Sequence, residues 1–163
     1  MHSSTNLKKS PHFPGVLSFP FKLVPAKIHS RLLVTFLNKF LSQQISEGEL
    51  DFLESKILRV NVCDAGIDFY ISLENNRLVT ASSSGRNDIE IQASVYDFLQ
   101  LAARQQDPDT LVFQRRLIMQ GNTELGLELK NFLDGLDLES KGSFAKVELL
   151  LLKSLPVYKR LFS

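Results

Sequence analysis

Cysteine occurs once in the 163 residues, tryptophan not at all, and the three histidines (His2, His12, His29) all precede the body of the chain. Each scarcity excludes something. A lone Cys63 cannot build an intramolecular disulfide framework or a cysteine-based zinc knuckle, and it suits a reducing compartment. With no histidine after His29, neither a histidine-assisted triad nor a histidine-rich metal site can form within the fold. No segment approaches the roughly 20 consecutive apolar residues that a transmembrane helix needs. What is present is ordinary for a soluble globular chain, 44% hydrophobic and 23% charged. The length suits one domain, able to bury roughly 68–70% of its unfolded surface without a disulfide or a metal.

The formal charge of +1 hides a segregation. Residues 1–46 hold six basic residues and no acid, residues 47–140 hold 17 acids against 8 bases, and residues 141–163 hold five bases against Glu148. Two basic, strongly apolar ends therefore flank an acidic middle. Solvated faces account for part of this pattern. The functional alternative is an anionic membrane surface, where each Lys or Arg contributes about 1 kcal/mol. An acidic middle without a recognition motif argues against nucleic acid.

Residues 1–15 read as a mobile arm. The apolar stretch after it, Phe13 to Pro25, is broken by Pro14 and Pro20 and interrupted by Lys22, which does not suit a signal peptide. From Ala26 the apolar residues Ile28, Leu32, Leu33, Phe36, Leu37, Phe40 and Leu41 recur at three- and four-residue steps. This spacing predicts one helix ending near Ser46. Two-residue alternation then predicts strands over 57–62, 67–74 and 89–93, with Asn75-Asn76 turning the second into a partner over 77–81. Ser94 resembles a helix N-cap for Val95–Gln105, which Asp107-Pro108-Asp109 stops. Leu111–Phe113 fits a helical turn or an edge strand equally well. Arg116–Gln120 reads as a strand, and Asn122 caps a helix bearing Leu125, Leu129, Phe132, Leu133 and Leu136. A basic amphipathic segment, 141–163, closes the chain, with a kink expected at Pro156. The order predicts an α+β fold: an antiparallel-rich sheet of about five strands covered by helices, over residues 16–140.

Candidate chemistry is sparse. Ser82-Ser83-Ser84-Gly85 lacks the nucleophile-elbow pattern and any histidine base. Asp107 and Asp109 lack a third oxygen cluster for a cation, so helix termination explains them better. Cys63 reads as an inert buried thiol. Gly121-Asn122 before a helix lacks the glycine-rich loop and lysine of a nucleotide cradle. No cofactor and no catalytic residue is expected.

One oddity remains, a surplus of large rings: Phe36, Phe40, Phe98, Phe113, Phe132, Phe144 and Phe162. A dense core absorbs them equally well. A hollow core is the alternative, and a tunnel of roughly 500 Å3 left unfilled would cost on the order of 12 kcal/mol at about 24 cal/mol per Å3. Such a space collapses, admits a terminal helix, or holds a greasy ligand.

The stretch Ala102–Asn131 resembles the C-terminal half of the sterol-carrier-protein lipid-binding domain. Phe113-Gln114, Leu117–Met119, Gly121-Asn122 and Gly126-Leu127 stand where that family has a Phe-Gln pair, a strand, Gly-Asn and a Gly-Leu-bearing helix. Gly48–Glu54, with DPDTLVFQRR and GNTELGL, is similar to the bacterial ubiquinone-biosynthesis accessory branch of that family. The likeness covers roughly residues 16–137. It implies a non-catalytic carrier of the oxygen-independent pathway that holds isoprenoid quinone precursors or phospholipid beside iron–sulfur partners of the UbiU and UbiV type. The final Leu161-Phe162-Ser163 is not a peroxisomal address. The expected cavity wall is Phe36, Phe40, Phe98, Ala102, Phe113, Met119, Leu125, Leu129, Phe132 and Leu133. Charge and amphipathicity further suggest docking on the inner membrane from the cytoplasm, with Lys22, Lys27, Lys153, Lys159 and Arg160 supplying charge. Phe19, Phe21, Leu155 and Phe162 would insert. The rival reading is an interaction or homodimerisation module without a lipid.

Overall fold

Alternating apolar and polar residues in the middle of the chain build a five-stranded sheet: β1 (Leu58–Val62), β2 (Ile67–Glu74), β3 (Arg77–Thr80), β4 (Ile89–Ala93) and β5 (Ile118–Gly121). The structure, a computed structural model, describes residues 26–82, 85–136, 153, 155–157 and 159–161. Around the sheet lie α1 (Ala26–Phe40), α2 (Ser42–Ser46), a 3-10 turn at Asp51–Leu53, α3 (Val95–Ala102), α4 (Pro108–Phe113) and α5 (Thr123–Gly135). The strand order is β3-β2-β1-β4-β5. Three pairings are antiparallel and β1 with β4 is parallel, so the sheet is antiparallel-rich as expected.

Register puts Val60 opposite both Phe69 and Ile91, which gives the sheet one continuous apolar face. On the polar face Arg59 bonds Asp68 and Glu90, each at 3.0 Å. Burial works against ionisation of Asp68, but the bonds from Arg59 and Asn61 outweigh it and hold the carboxyl below its usual range. The β2–β3 hairpin turns on Asn75 and Asn76, both at positive φ (50° and 55°), the backbone of a two-residue type I′ turn.

Local signals fix the helix starts. Ser94 Oγ accepts from the Asp97 amide at 3.1 Å, and Asp64 Oδ1 accepts from Val95 at 2.9 Å. Asn122 Oδ1 accepts from Glu124 at 2.9 Å and from Leu125 at 3.1 Å, capping α5. Asp107 does more than the stop expected of it. Its carboxylate accepts from the Thr110 amide at 2.7 Å and hydroxyl at 2.6 Å, so the Asp-Pro-Asp sequence also starts α4, with Pro108 in the first turn. That resolves Leu111–Phe113 as helix.

Three boundaries differ from the sequence expectation by more than one residue. The first helix breaks at Leu41, giving α1 and α2. The third ends at Ala102 because Arg104 takes positive φ. Strand β5 begins at Ile118, since Arg116 turns inward to pair with Asp97 and Gln100.

The helices cover the apolar face, α1 over β2 and β3, α5 over β5 and the 3-10 turn. Asn38 on α1 fastens that layer, accepting from Leu78 N at 2.8 Å and donating to Leu78 O at 2.7 Å, which satisfies the edge of β3. The largest fully buried side chains are all aliphatic: Leu53, Leu73, Ile89, Leu111 and Leu117. Cys63 is exposed rather than buried. Partial desolvation, and then the Asp64 carboxylate, still push its thiol up, which disfavours the nucleophilic thiolate.

Two substitutions test this account. Asp97 is 4% exposed and bonded by Ser94 and Arg116, so Asp97→Ala strands a cation and should cost about 3 kcal/mol in urea unfolding. At Gly121, with φ +116°, an added Cβ would stand 2.5 Å from the Asp88 carbonyl, whereas at Gly135 it meets nothing within 4 Å. Gly121→Ala should therefore lower stability by more than about 1 kcal/mol while Gly135→Ala changes it by less than that.

Candidate functional site

Between the sheet's apolar face and the helices lies a cavity of 680 Å3. Its floor is strand: Val60 and Val62 from β1, Phe69 and Ile71 from β2, Ile91 from β4. Leu33, Phe36, Leu37 and Phe40 close it from α1, Phe98 and Leu101 from α3, and Leu129, Phe132 and Leu133 from α5. Phe36 stacks on Phe40 with ring centroids 5.3 Å apart, and Phe132 meets Phe52 at 6.4 Å. Of the surplus rings, Phe36, Phe40, Phe98 and Phe132 thus stand around the space, beside leucine and isoleucine.

The polar lining is limited to Arg104, Gln106, Asp107 and Asp134. They belong to two adjoining places, the α3–α4 loop and the end of α5. The ion pair Asp109–Lys130, at 2.9 Å, ties the start of α4 to α5, and Asp134 follows one turn after Lys130. Hydrogen bonding to Asp109 raises the Lys130 ammonium, and Asp134 adds to the effect. The Thr110 hydroxyl and amide hold Asp107 below the ordinary carboxylate range. This end of the cavity therefore carries two carboxyl side chains and one guanidinium against otherwise greasy walls.

Of the expected wall residues, Phe36, Phe40, Phe98, Ala102, Leu129, Phe132 and Leu133 line the cavity. Three do not. Phe113 is 90% exposed, because the short α4 turns Leu111 inward and Phe113 away. Met119 and Leu125 pack with the solid core instead. The sheet's share of the wall was missed, although the alternation that places Val60, Phe69 and Ile91 on one face signals it.

Among the expected docking residues, Lys153, Lys159 and Arg160 are exposed. Leu155 is 8% exposed and so does not project for insertion, whereas its neighbours Val157 and Leu161 do project. The side chain of Lys27 and residues Phe19, Phe21, Lys22 and Phe162 lie outside the described residues, as do the 1–15 arm and most of 141–163. Residues 155–157, which include Pro156, are helical. Among the described residues no helix is long and apolar enough to cross a membrane.

A mixed sheet roofed by helices over an apolar cavity is the build of a lipid-carrier domain, and residues 37–134 match the SCP-2 sterol transfer family. The chain belongs to that family. More narrowly, it is 40% identical over 137 residues to the ubiquinone biosynthesis accessory factor UbiT of Escherichia coli K12, a match spanning 84% of this chain and 78% of that protein. The same factor from Escherichia coli O157:H7 matches equally. Among solved structures, a UbiJ-SCP2 ubiquinone synthesis protein superposes with a TM-score of 0.56 at 19% identity, over 69% of this chain and 93% of that one, and so shares the fold.

Proposed function

We propose that this protein is a non-catalytic lipid-binding accessory factor of ubiquinone biosynthesis that holds prenylated ring intermediates in its cavity. The single observation that carries the reading is the cavity itself, 680 Å3 and apolar except at one end. That volume falls within the roughly 300–1,000 Å3 of small-molecule sites. Each ligand methylene buried against that wall returns about 0.8 kcal/mol, so a long apolar tail supplies the affinity. Its likeness to UbiT supports the pathway. On this reading it works in the oxygen-independent branch, beside iron–sulfur partners of the UbiU and UbiV type that perform the ring chemistry.

The same reading places it in the cytoplasm, docking reversibly on the inner membrane. Support comes from α1, whose Ile28, Leu32 and Phe36 are 48%, 66% and 50% exposed beside Arg31 and Lys39, with no acid on the helix. The exposed Lys153, Lys159 and Arg160 add positive charge. Phe36 both faces outward and lines the cavity, which gives a ligand a continuous apolar path.

Organic extraction and mass spectrometry of the purified protein should yield a prenylated or acyl lipid, or added prenylphenol should bind. Ala102→Phe, which pushes a ring into the cavity, should weaken that binding at least about tenfold with the melting temperature little changed. A protein that carries and binds no lipid, or a variant that binds as well as the parent, overturns the reading. For docking, co-sedimentation with vesicles should require anionic lipid, weaken with salt, and fall several-fold in a Leu32→Ser variant. Binding indifferent to lipid charge and salt, with a stable dimer by light scattering, would favour the interaction-module alternative.

A further inference from the structure

The polar end of the cavity has no part in holding a hydrocarbon, yet four polar side chains line it. We infer that Arg104, Gln106, Asp107 and Asp134 form a headgroup subsite for a neutral, hydroxyl-bearing ring, with the apolar tail running inward over the sheet. The inference rests on the lipid-cavity reading above and adds which end of the ligand faces outward and what chemistry is read there.

Charge decides the class of head. Two carboxylates, Asp107 and Asp134, stand against one guanidinium, Arg104, among the polar lining residues. The nearby Lys130 gives its charge to Asp109 at 2.9 Å and does not line the cavity. A phosphate head would meet net negative charge here. A phenol suits the set better, since its O–H donates to a carboxylate while its oxygen accepts from the Gln106 amide or from Arg104. Asp107 keeps lone pairs for such a donor after serving Thr110, because a carboxylate has about four acceptor positions. Asp134, one turn beyond Lys130 on α5, and Gln106 in the α3–α4 loop line the same cavity.

Three probes with one tail test this: 2-farnesylphenol, its methyl ether, and farnesyl phosphate, each titrated against the full chain by tryptophan-free methods such as calorimetry or displacement of a fluorescent fatty acid. The expected order is phenol tightest, with the ether about five- to tenfold weaker and the phosphate weaker still. In Asp134→Ala, which removes an acceptor for the phenol O–H that the ether never uses, the phenol should lose most of its advantage over the ether. Ether binding and melting temperature should stay unchanged, which separates loss of head recognition from loss of fold. Equal affinity for phenol and ether in the parent, or tightest binding of the phosphate, overturns the subsite while leaving the lipid cavity standing. Binding of none of the three overturns both.

Discussion

Helices laid over an apolar sheet close onto it unless something holds them at a distance, and this fold depends on that separation. Several of the restraints are polar. Asn38 fixes α1 to the edge of β3 through both the amide and the carbonyl of Leu78. Asp109 and Lys130 tie α4 to α5. Arg116 reaches from the lead-in to β5 to Asp97 and Gln100, anchoring α3. These ties act beside the buried apolar cluster in which Val34 of α1 and Leu125 and Leu129 of α5 pack with the sheet. The centre can then remain a cavity, at a cost that close packing would otherwise have avoided.

Leucine and isoleucine fill the solid part of the core around Leu73, Ile89, Leu111 and Leu117, and they also share the cavity wall, through Leu33, Leu53, Ile71, Ile91 and Leu129. The phenylalanines lining the cavity, Phe36, Phe40, Phe69, Phe98 and Phe132, are partly buried or half-exposed. A ring presents a broad flat face to whatever adjoins it and turns about few bonds, so a wall of rings stays apolar and smooth as its contents shift.

What could be read from the sequence was what depends on near neighbours. The alternation of Ile67, Phe69, Ile71 and Leu73, the Asn75-Asn76 turn, and the caps at Ser94 and Asn122 are each decided within a few residues, and each is where it was expected. The parallel pairing of β1 with β4 spans about 30 residues of sequence, and no local pattern announces it. Phe113 misled because α4 is only six residues long, too short for a helical period to show which side faces in. Arg116 reads as strand until Asp97, 19 residues away, claims its guanidinium. The wall of the cavity was legible on the helices, where a stripe is conspicuous. It was overlooked on the sheet, where apolar alternation reads the same whether the face is covered or hollow.

A carrier for ring chemistry faces a constraint that a carrier for storage does not. On the reading proposed above, the chemistry on the ring is performed by a second protein. That protein must reach the ring without first extracting the tail, whose transfer into water would cost about 0.8 kcal/mol for every methylene exposed. Under the proposed subsite both demands are met: the tail would lie against Val60, Phe69 and Ile91 and the ring toward the α3–α4 loop. Polar side chains are needed at that end and nowhere else, since a buried polar wall deeper in would lack partners once the tail lay against it. The observed lining, greasy throughout and polar only where the loop meets the end of α5, has that distribution.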